Sequence, residues 1–559
     1  MIKNSLQAGA MIKLILRFLP LLGMCASLQL RAQEGRITGN FQGDFQYYIS
    51  DTTINAVSPG ERLLMNSYAN FTYHKGNFSA GLRYEGYLNT LAGFPGEDGR
   101  NDGVGIPHRW ARFSKNGLEV TAGNFYEQFG NGLALRTYEE KNLGIDNSLD
   151  GVRVKYNPVF GLNITGLVGK QRYYFDYGPG IVRGFDAEIG INDVISPLMD
   201  KMLRIRLGGS FVSKYQDDND PVYVLPENVA TTAARINVNY KLFNLATEYA
   251  YKINDPSQDN NYIYKPGQAF LATSTYSQSG LGILVSTKWV DNMSFRSDRN
   301  AVLTDLNINH LPEITKNHVY TLAAYYPYAT QPSGEWGMQA EVFYKFKRKT
   351  TLGGKYGTQI SLNYARVQNI DKNHVNDTIP LNAMGTDGYE TRLFSVGEEL
   401  YFEDINLEIT KQWTKQFKSV LIYQHLTLDN NILLQSEYHG MIKAHIGIAD
   451  LTYKLNSDYS LSTEFQSMFT DQDKGNWALG LIEINAPNVF FTIMDNWNYG
   501  NPEKDQRIHY FTLGMGYIKS GNRIQLSYGK QRQGVMCVGG VCRMVPASNG
   551  VMLSISSTF

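Results

Sequence analysis

Alternation with a period of two runs through almost the whole chain, in segments too long for an ordinary soluble sheet. In Arg235–Leu242, Ile236, Val238, Tyr240 and Leu242 share one face, and Arg235, Asn237, Asn239 and Lys241 the other. Asp404–Trp413 sets Ile405, Leu407, Ile409 and Trp413 against Asn406, Glu408, Thr410 and Gln412, and Leu203–Phe211 repeats the pattern. Successive side chains of a strand point to opposite faces, so each segment predicts a sheet with one apolar and one polar side. The segments run to roughly 10–14 residues, whereas soluble strands average about 5–6 and a tilted bilayer-crossing strand needs about 9–11. Two irregularities remain. Lys411 interrupts an apolar face, as a residue at a membrane interface can, and Met441–Leu455 changes face part-way, which predicts a bulge or a displaced strand boundary.

After residue 32 no apolar run approaches the roughly 20 residues a spanning helix needs. In hydrocarbon each unpaired backbone group costs several kcal/mol, so what crosses as strands must close into a ring. The predicted fold is all-β: one large antiparallel transmembrane β-barrel of roughly 22–26 strands, an even number, with short periplasmic turns and long external loops. About 25 strand-like segments are counted, so at least one is misassigned, and the short–long rhythm fails between Ile370 and Leu400. From residue 401 onward short and long connections alternate: 413–417 short, 430–440 long, 455–459 short, 471–476 intermediate, 485–488 short, 498–506 long, 519–522 short, 536–549 long. Lys+Arg and Asp+Glu both number 52, which leaves no basic excess and predicts no nucleic-acid partner.

The ends give the address. Lys3, Lys13 and Arg17 precede or flank an apolar run from Leu14 to Leu30, and Ala32 offers a small residue before Gln33. This layout predicts a signal peptide over 1–32 and a barrel domain over 33–559. A membrane anchor and a lipoprotein through Cys25 are the alternatives, the latter opposed by Met24 beside it. The last strand places Val551, Leu553, Ile555 and Phe559 on one face, and a closing strand with a terminal aromatic predicts an assembly signal at Phe559, read by barrel-assembly machinery. The expected surroundings are outer-membrane lipid and lipopolysaccharide.

Cys537 and Cys542, in Cys-Val-Gly-Gly-Val-Cys, predict a local disulfide across a Gly-Gly turn; a metal or redox pair is the alternative, but zinc wants about four ligands and none lie nearby. Arg136, Glu139, Glu140, Lys141 and Asp146 lie between two strands, and if that segment folds inward its opposed charges form a pore constriction; otherwise it is a solvated loop. Asp217–Asp220 offers carboxylates to divalent ions, and Glu97–Gly103 resembles a calcium loop with Arg100 where a ligand oxygen belongs. No metal, cofactor or catalytic motif is present, although His439 and His445, with Glu437, flank one strand start. Tyr47, Tyr48, Tyr173, Tyr174, Tyr325, Tyr326 and Tyr328 suit either interfacial girdles or sugar stacking inside a lumen.

Gly123-Asn-Phe-Tyr-Glu-Gln-Phe-Gly-Asn-Gly-Leu133, Gly144-Ile-Asp-Asn-Ser-Leu-Asp-Gly-Val-Arg153 and the tail Cys537–Pro546 resemble porin-like outer-membrane β-barrel proteins of Bacteroidota-type bacteria. The first two segments are also loosely similar to porins and exopolysaccharide-export barrels. The resemblance implies the barrel fold for the whole mature chain and no catalytic residue. Strand pattern from Arg36 leaves no room for an N-terminal plug domain, so loops must narrow the pore. The expected function is a porin-like, non-enzymatic channel for small solutes or glycans; the alternatives are a structural or docking component of a secretion or surface-assembly complex and, less favoured, an outer-membrane hydrolase.

Overall fold

The computed structural model describes residues 35–94, 103–434, 440–538 and 541–559. The leader expected over 1–32 lies outside them. Twenty-four strands form one antiparallel sheet that closes on itself. Its first strand, Arg36–Tyr48, pairs with Leu63–Lys75 on one side and with the last strand, Ser548–Thr558, on the other. Closure leaves no sheet edge, and the even strand number puts both ends of the described barrel on one side.

The turns follow from local chemistry. Asn116-Gly117 and Ser520-Gly521 join adjacent strands through two residues that both have positive φ (51° and 78°, then 48° and 82°), the twist that matches paired strands. These turns share one end of the barrel with 241–242, 279–280 and 487–488. The opposite end carries the connections 126–148, 292–333 and 369–399. The last of these is where the short–long rhythm breaks: the segment from Ile370 to Glu399 is a loop with one isolated bridge, Asn373↔Glu390, and no strand pair.

Outward positions are apolar: Leu82, Phe211, Ile236, Phe465, Ile493 and Met515 are exposed, while their strand neighbours Arg83, Ser210, Arg235 and Gln466 are buried in the interior. Strands of mostly 10–13 residues, at about 3.3 Å per residue, are long enough to cross a roughly 30 Å hydrocarbon layer at a tilt. No helix among the described residues is long and apolar enough to do so. Lys411 lies near the short-turn end with its ammonium 4.3 Å from the Trp413 ring centre, as an interfacial residue would.

The expectation of a bulge over Met441–Leu455 is overturned. Met441–Lys454 pairs without a register break with both neighbours. The reversal of its faces is real: Ile442, Ala444, Ile446 and Ile448 point inward and are buried, whereas Lys443 and His445 point outward. Inward apolar residues are stable here because a loop fills the interior against them. On the neighbouring strands Arg366 and Glu403 also face outward, 2.7 Å apart, in the row that continues through Thr427 to Lys443.

Phe559 completes the ring. Its N–H donates to the Gly39 carbonyl (3.0 Å), it accepts from the Gly39 N–H (2.9 Å), and its ring lies where a Cβ on residue 39 would intrude, 2.5 Å from Cζ. Removing Phe559 is therefore expected to lower the yield of folded, heat-modifiable barrel several-fold; a level equal to wild type would show that the closing contact is dispensable.

Candidate functional site: a lumen filled by inward loops

Two long connections fold back into the ring. The first, 126–148, is unusually apolar for a loop: Phe129, Leu133, Ala134, Leu135 and Leu143 are all buried. It is built of two small hairpins, Gln128–Phe129 with Leu135–Arg136 and Glu139–Glu140 with Ile145–Asp146. Phe129 and Leu135 pack against Leu167, Val182, Val212 and Val229, inward residues of successive strands. Burial of such side chains is worth about 1.5–3 kcal/mol each, enough to hold the segment inside.

Its charged residues meet charges on the wall. Arg83 lies 2.8 Å from both Glu139 and Asp146 and 3.4 Å from Glu85; Arg172 lies 2.5 Å from Asp146 and also pairs with Glu85. Glu85 and Arg172 are essentially inaccessible to solvent (0% and 2%). Of the five residues expected at a constriction, Glu139 and Asp146 thus join one buried cluster. The other three stand around it. Lys141 donates to Gln42 (3.2 Å) and sits 4.6 Å over the Tyr68 ring; Arg136 sits 4.9 Å over Tyr138; Glu140 accepts from the Asn142 N–H. The partners Arg83, Glu85 and Arg172 were not singled out from the sequence, because an Arg or Glu at an alternating strand position looks like any inward polar residue. Cavities of about 20 and 40 Å³ remain beside the cluster, room for little more than single waters.

The second loop, 292–333, was not foreseen. Its backbone is bonded to the first: Arg136 N–H donates to Ile308 O (2.8 Å) and His310 N–H to Gly132 O (3.0 Å). Two buried wall lysines grip it, Lys252 donating to the Ser294 carbonyl and Lys288 to the Pro312 carbonyl, while Lys288 also pairs with Glu335. Burial, with Arg136 and Lys288 nearby, pushes the His310 imidazole down to about 3, so it adds no charge at neutral pH. Farther along, Tyr320 donates to Asp450 and Tyr326 to Asp473, both at 3.0 Å, and Leu322 N–H donates to Gln466. Tyr325, Tyr326 and Tyr328 are therefore lumen residues, not part of a girdle. A signal existed: a connection longer than about 15 residues carrying this many apolar and aromatic side chains is seldom a plain surface loop.

Between this loop and the wall formed by 402–426, 494–512 and 529–552, a cavity of about 510 Å³ stays open. The hairpin Gly534–Val538/Val541–Val545 lies across it. Cys537 and Cys542 are joined there by a disulfide, and the Gly-Gly turn between them lies outside the described residues. Arg543 at its base donates to the carbonyls of Asn142 (2.7 Å) and Gly93 (2.8 Å), tying the hairpin to the first inward loop. A bridge closing so short a loop constrains it by about 2 kcal/mol. Replacing both cysteines by serine is expected to leave the heat-modifiable barrel intact and to speed trypsin cleavage after Arg543 at least several-fold; unchanged cleavage would mean that the bridge does not order the hairpin.

Asp217–Asp220 is committed to its own backbone. Asp218 accepts from Asp220 and Leu225 N–H, and Asp220 from Val222 and Tyr223 N–H. Among the described residues no group of three or more His, Cys, Asp or Glu is placed to hold a metal. Residues 97–102, Glu437 and His439 lie outside them; His445 faces outward beside His425, ring centres 4.6 Å apart.

The sequence profile of a family of unknown function, DUF6029, matches residues 11–559. No curated protein matches the sequence. Similar solved structures include the siderophore receptor PirA from Pseudomonas aeruginosa (9% identity, covering 95% of this chain and 81% of that one, TM-score 0.40). The translocation pore of the P pilus usher PapC is another (8%, 94% and 99%, 0.43), as is OccAB3 from Acinetobacter baumannii (9%, 94% and 99%, 0.35).

Proposed function

The chain belongs to DUF6029, a family of unknown function, and from that starting point we propose that it is a non-enzymatic outer-membrane channel whose lumen is narrowed by its own inward loops, passing small polar solutes or glycans. The observation that carries this reading is the cavity of about 510 Å³ inside a closed 24-strand ring into which two long connections fold. A ring of more than 18 strands encloses more space than side chains alone can fill, and the inward loops take up part of that space. In this reading a leader over 1–32 directs export in a Bacteroidota-type bacterium, barrel-assembly machinery reads Phe559, lipid and lipopolysaccharide surround the apolar belt, and the short turns face the periplasm.

Reconstituted in planar bilayers, the mature protein should give small, discrete conductance steps. Arg136→Glu combined with Glu139→Lys should shift the reversal potential in a salt gradient, since charges at a constriction set selectivity. Silence in bilayers together with no swelling of liposomes would reject the channel. A docking role is favoured by one observation: Val159, Phe160, Val194, Ile195, Met199 and Met202 form exposed apolar side chains on two adjacent connections at the short-turn end. A stoichiometric protein recovered by crosslinking there, from cells in which the channel test is negative, would favour that role.

A further inference from the structure

We propose that the 510 Å³ chamber is a binding site for a short acidic oligosaccharide, one bearing carboxylates on its rings; this deepens the channel reading and rests on it. The volume falls within the roughly 300–1,000 Å³ of small-molecule sites. The lining combines aromatic side chains, amides and an unbalanced positive charge. Tyr325, Tyr326 and Tyr328 of the inward loop and Tyr510 and Phe402 of the wall supply flat apolar surfaces, the kind on which the C–H faces of sugar rings pack.

The amides are incompletely satisfied. Gln424 and Asn496 line the chamber, are at least 96% buried, and each has one side-chain amide oxygen without a partner. A sugar hydroxyl donates and accepts alike, so a small adjustment at either amide pairs it whichever way round the amide stands. An ammonium or a carboxylate ligand meets that need in one orientation alone.

The charge selects among sugars. Three cations and a histidine line the chamber against one carboxylate, Glu313. Two of the cations are already matched, Lys530 by Asp51 at 2.6 Å and Lys316 by Glu341 and Glu408 at 3.6 and 3.9 Å, and the His318 ring hydrogen-bonds Asp404 at 2.7 Å. Arg532 differs. Among the described residues it has no carboxylate within ion-pair distance; its guanidinium carbon sits over the Tyr325 ring, 3.4 Å from the centre, with the Trp477 ring centre 5.9 Å away, and its Nη1 donates to the Gln533 carbonyl at 3.2 Å, leaving its other N–H groups for a ligand. A planar guanidinium held in this way presents its N–H edges to a carboxylate, which it binds through two parallel hydrogen bonds. The disulfide hairpin adds Met536 and Cys537 to the lining.

The test is calorimetric titration of the full mature chain, folded in detergent, with trigalacturonate and with maltotriose, a neutral sugar of the same length. Trigalacturonate should bind saturably and at least ten-fold more tightly than maltotriose. Arg532→Gln should abolish that preference while leaving the weaker sugar binding in place, and Tyr510→Ala should weaken both sugars, each variant being checked for heat-modifiable mobility. No saturable binding of trigalacturonate, equal affinity for the two sugars, or an Arg532→Gln protein that keeps its preference would each overturn the proposal. Because binding is read in detergent and conductance in bilayers, a conducting protein that binds no acidic sugar removes this inference alone, whereas a protein that binds but never conducts removes the channel.

Discussion

Excising residues 294–331 and joining the ends with two or three glycines is expected to raise single-channel conductance by about an order of magnitude, toward that of wide unobstructed barrels. The deletion is geometrically mild, because the loop leaves and re-enters the wall at one pinch: the Met293 N–H donates to the Pro332 carbonyl at 2.8 Å. Strands Leu281–Asp291 and Gly334–Lys345 remain paired along their length. What is lost is the filling of the lumen, including Phe295, Ile308, Leu322, Ala323 and the three buried tyrosines. Removal also bares inward side chains such as Val229, Val290, Ile446 and Leu479, at about 25 cal/mol per Å² of apolar surface, so the open barrel should be less stable as well as more conductive. A conductance equal to that of the intact chain would show that ions travel by another route.

The second large effect is expected at the buried charge cluster. Replacing Arg172 by alanine strips Glu85 and Asp146 of a cation they share, in a place where neither reaches water freely. Arg83 still reaches both carboxylates, so the loss is part of the roughly 3–5 kcal/mol that a fully unpaired buried charge costs, and still more than an exposed pair is worth. The temperature at which the folded band disappears on unheated gels should therefore fall clearly for Arg172→Ala and for Glu85→Ala. The pair Glu85→Gln with Arg172→Gln should lose less than the sum of the single changes, since it removes both charges together. Additive losses would mean that the two side chains do not depend on each other. The same double variant ought to loosen the first inward loop, whose Asp146 is held by Arg83 and Arg172 together.

The wall of this protein is far more legible in its sequence than the contents of its lumen. Arg235–Leu242 shows its two faces directly, because a barrel strand between lipid and an interior has a strict period and little else to satisfy. Phe559 is legible as a closing residue for the same reason, although its bond to Gly39 is not. The lumen obeys different rules. Ile442, Ala444, Ile446 and Ile448 look like an outward face until one knows that Leu322 and its neighbours pack against them, and nothing in a period of two reports a partner more than a hundred residues away. Glu139 and Asp146 are recognisable as charges between strands, yet Arg83 and Arg172, which hold them, lie in segments whose alternation is ordinary. Lys288 gives no sign that it grips the carbonyl of Pro312. The sequence shows period and turn chemistry because these are local; it hides the cluster, the lysine grips and the chamber because each is assembled from distant strands across a ring.

The reversed strand Met441–Lys454 has a consequence for the bilayer itself. Lys443 and His445, with Arg366 and Glu403 in the row of Lys443, present ionisable groups outward toward the long-loop end of one wall. In the membrane reading proposed above, acyl chains could not rise past such groups without stripping their hydration, and the headgroup layer would dip to meet them on that side. If the barrel sits in a bilayer as proposed above, the lipid annulus would be lopsided, thinner beside residues 441–454 than elsewhere.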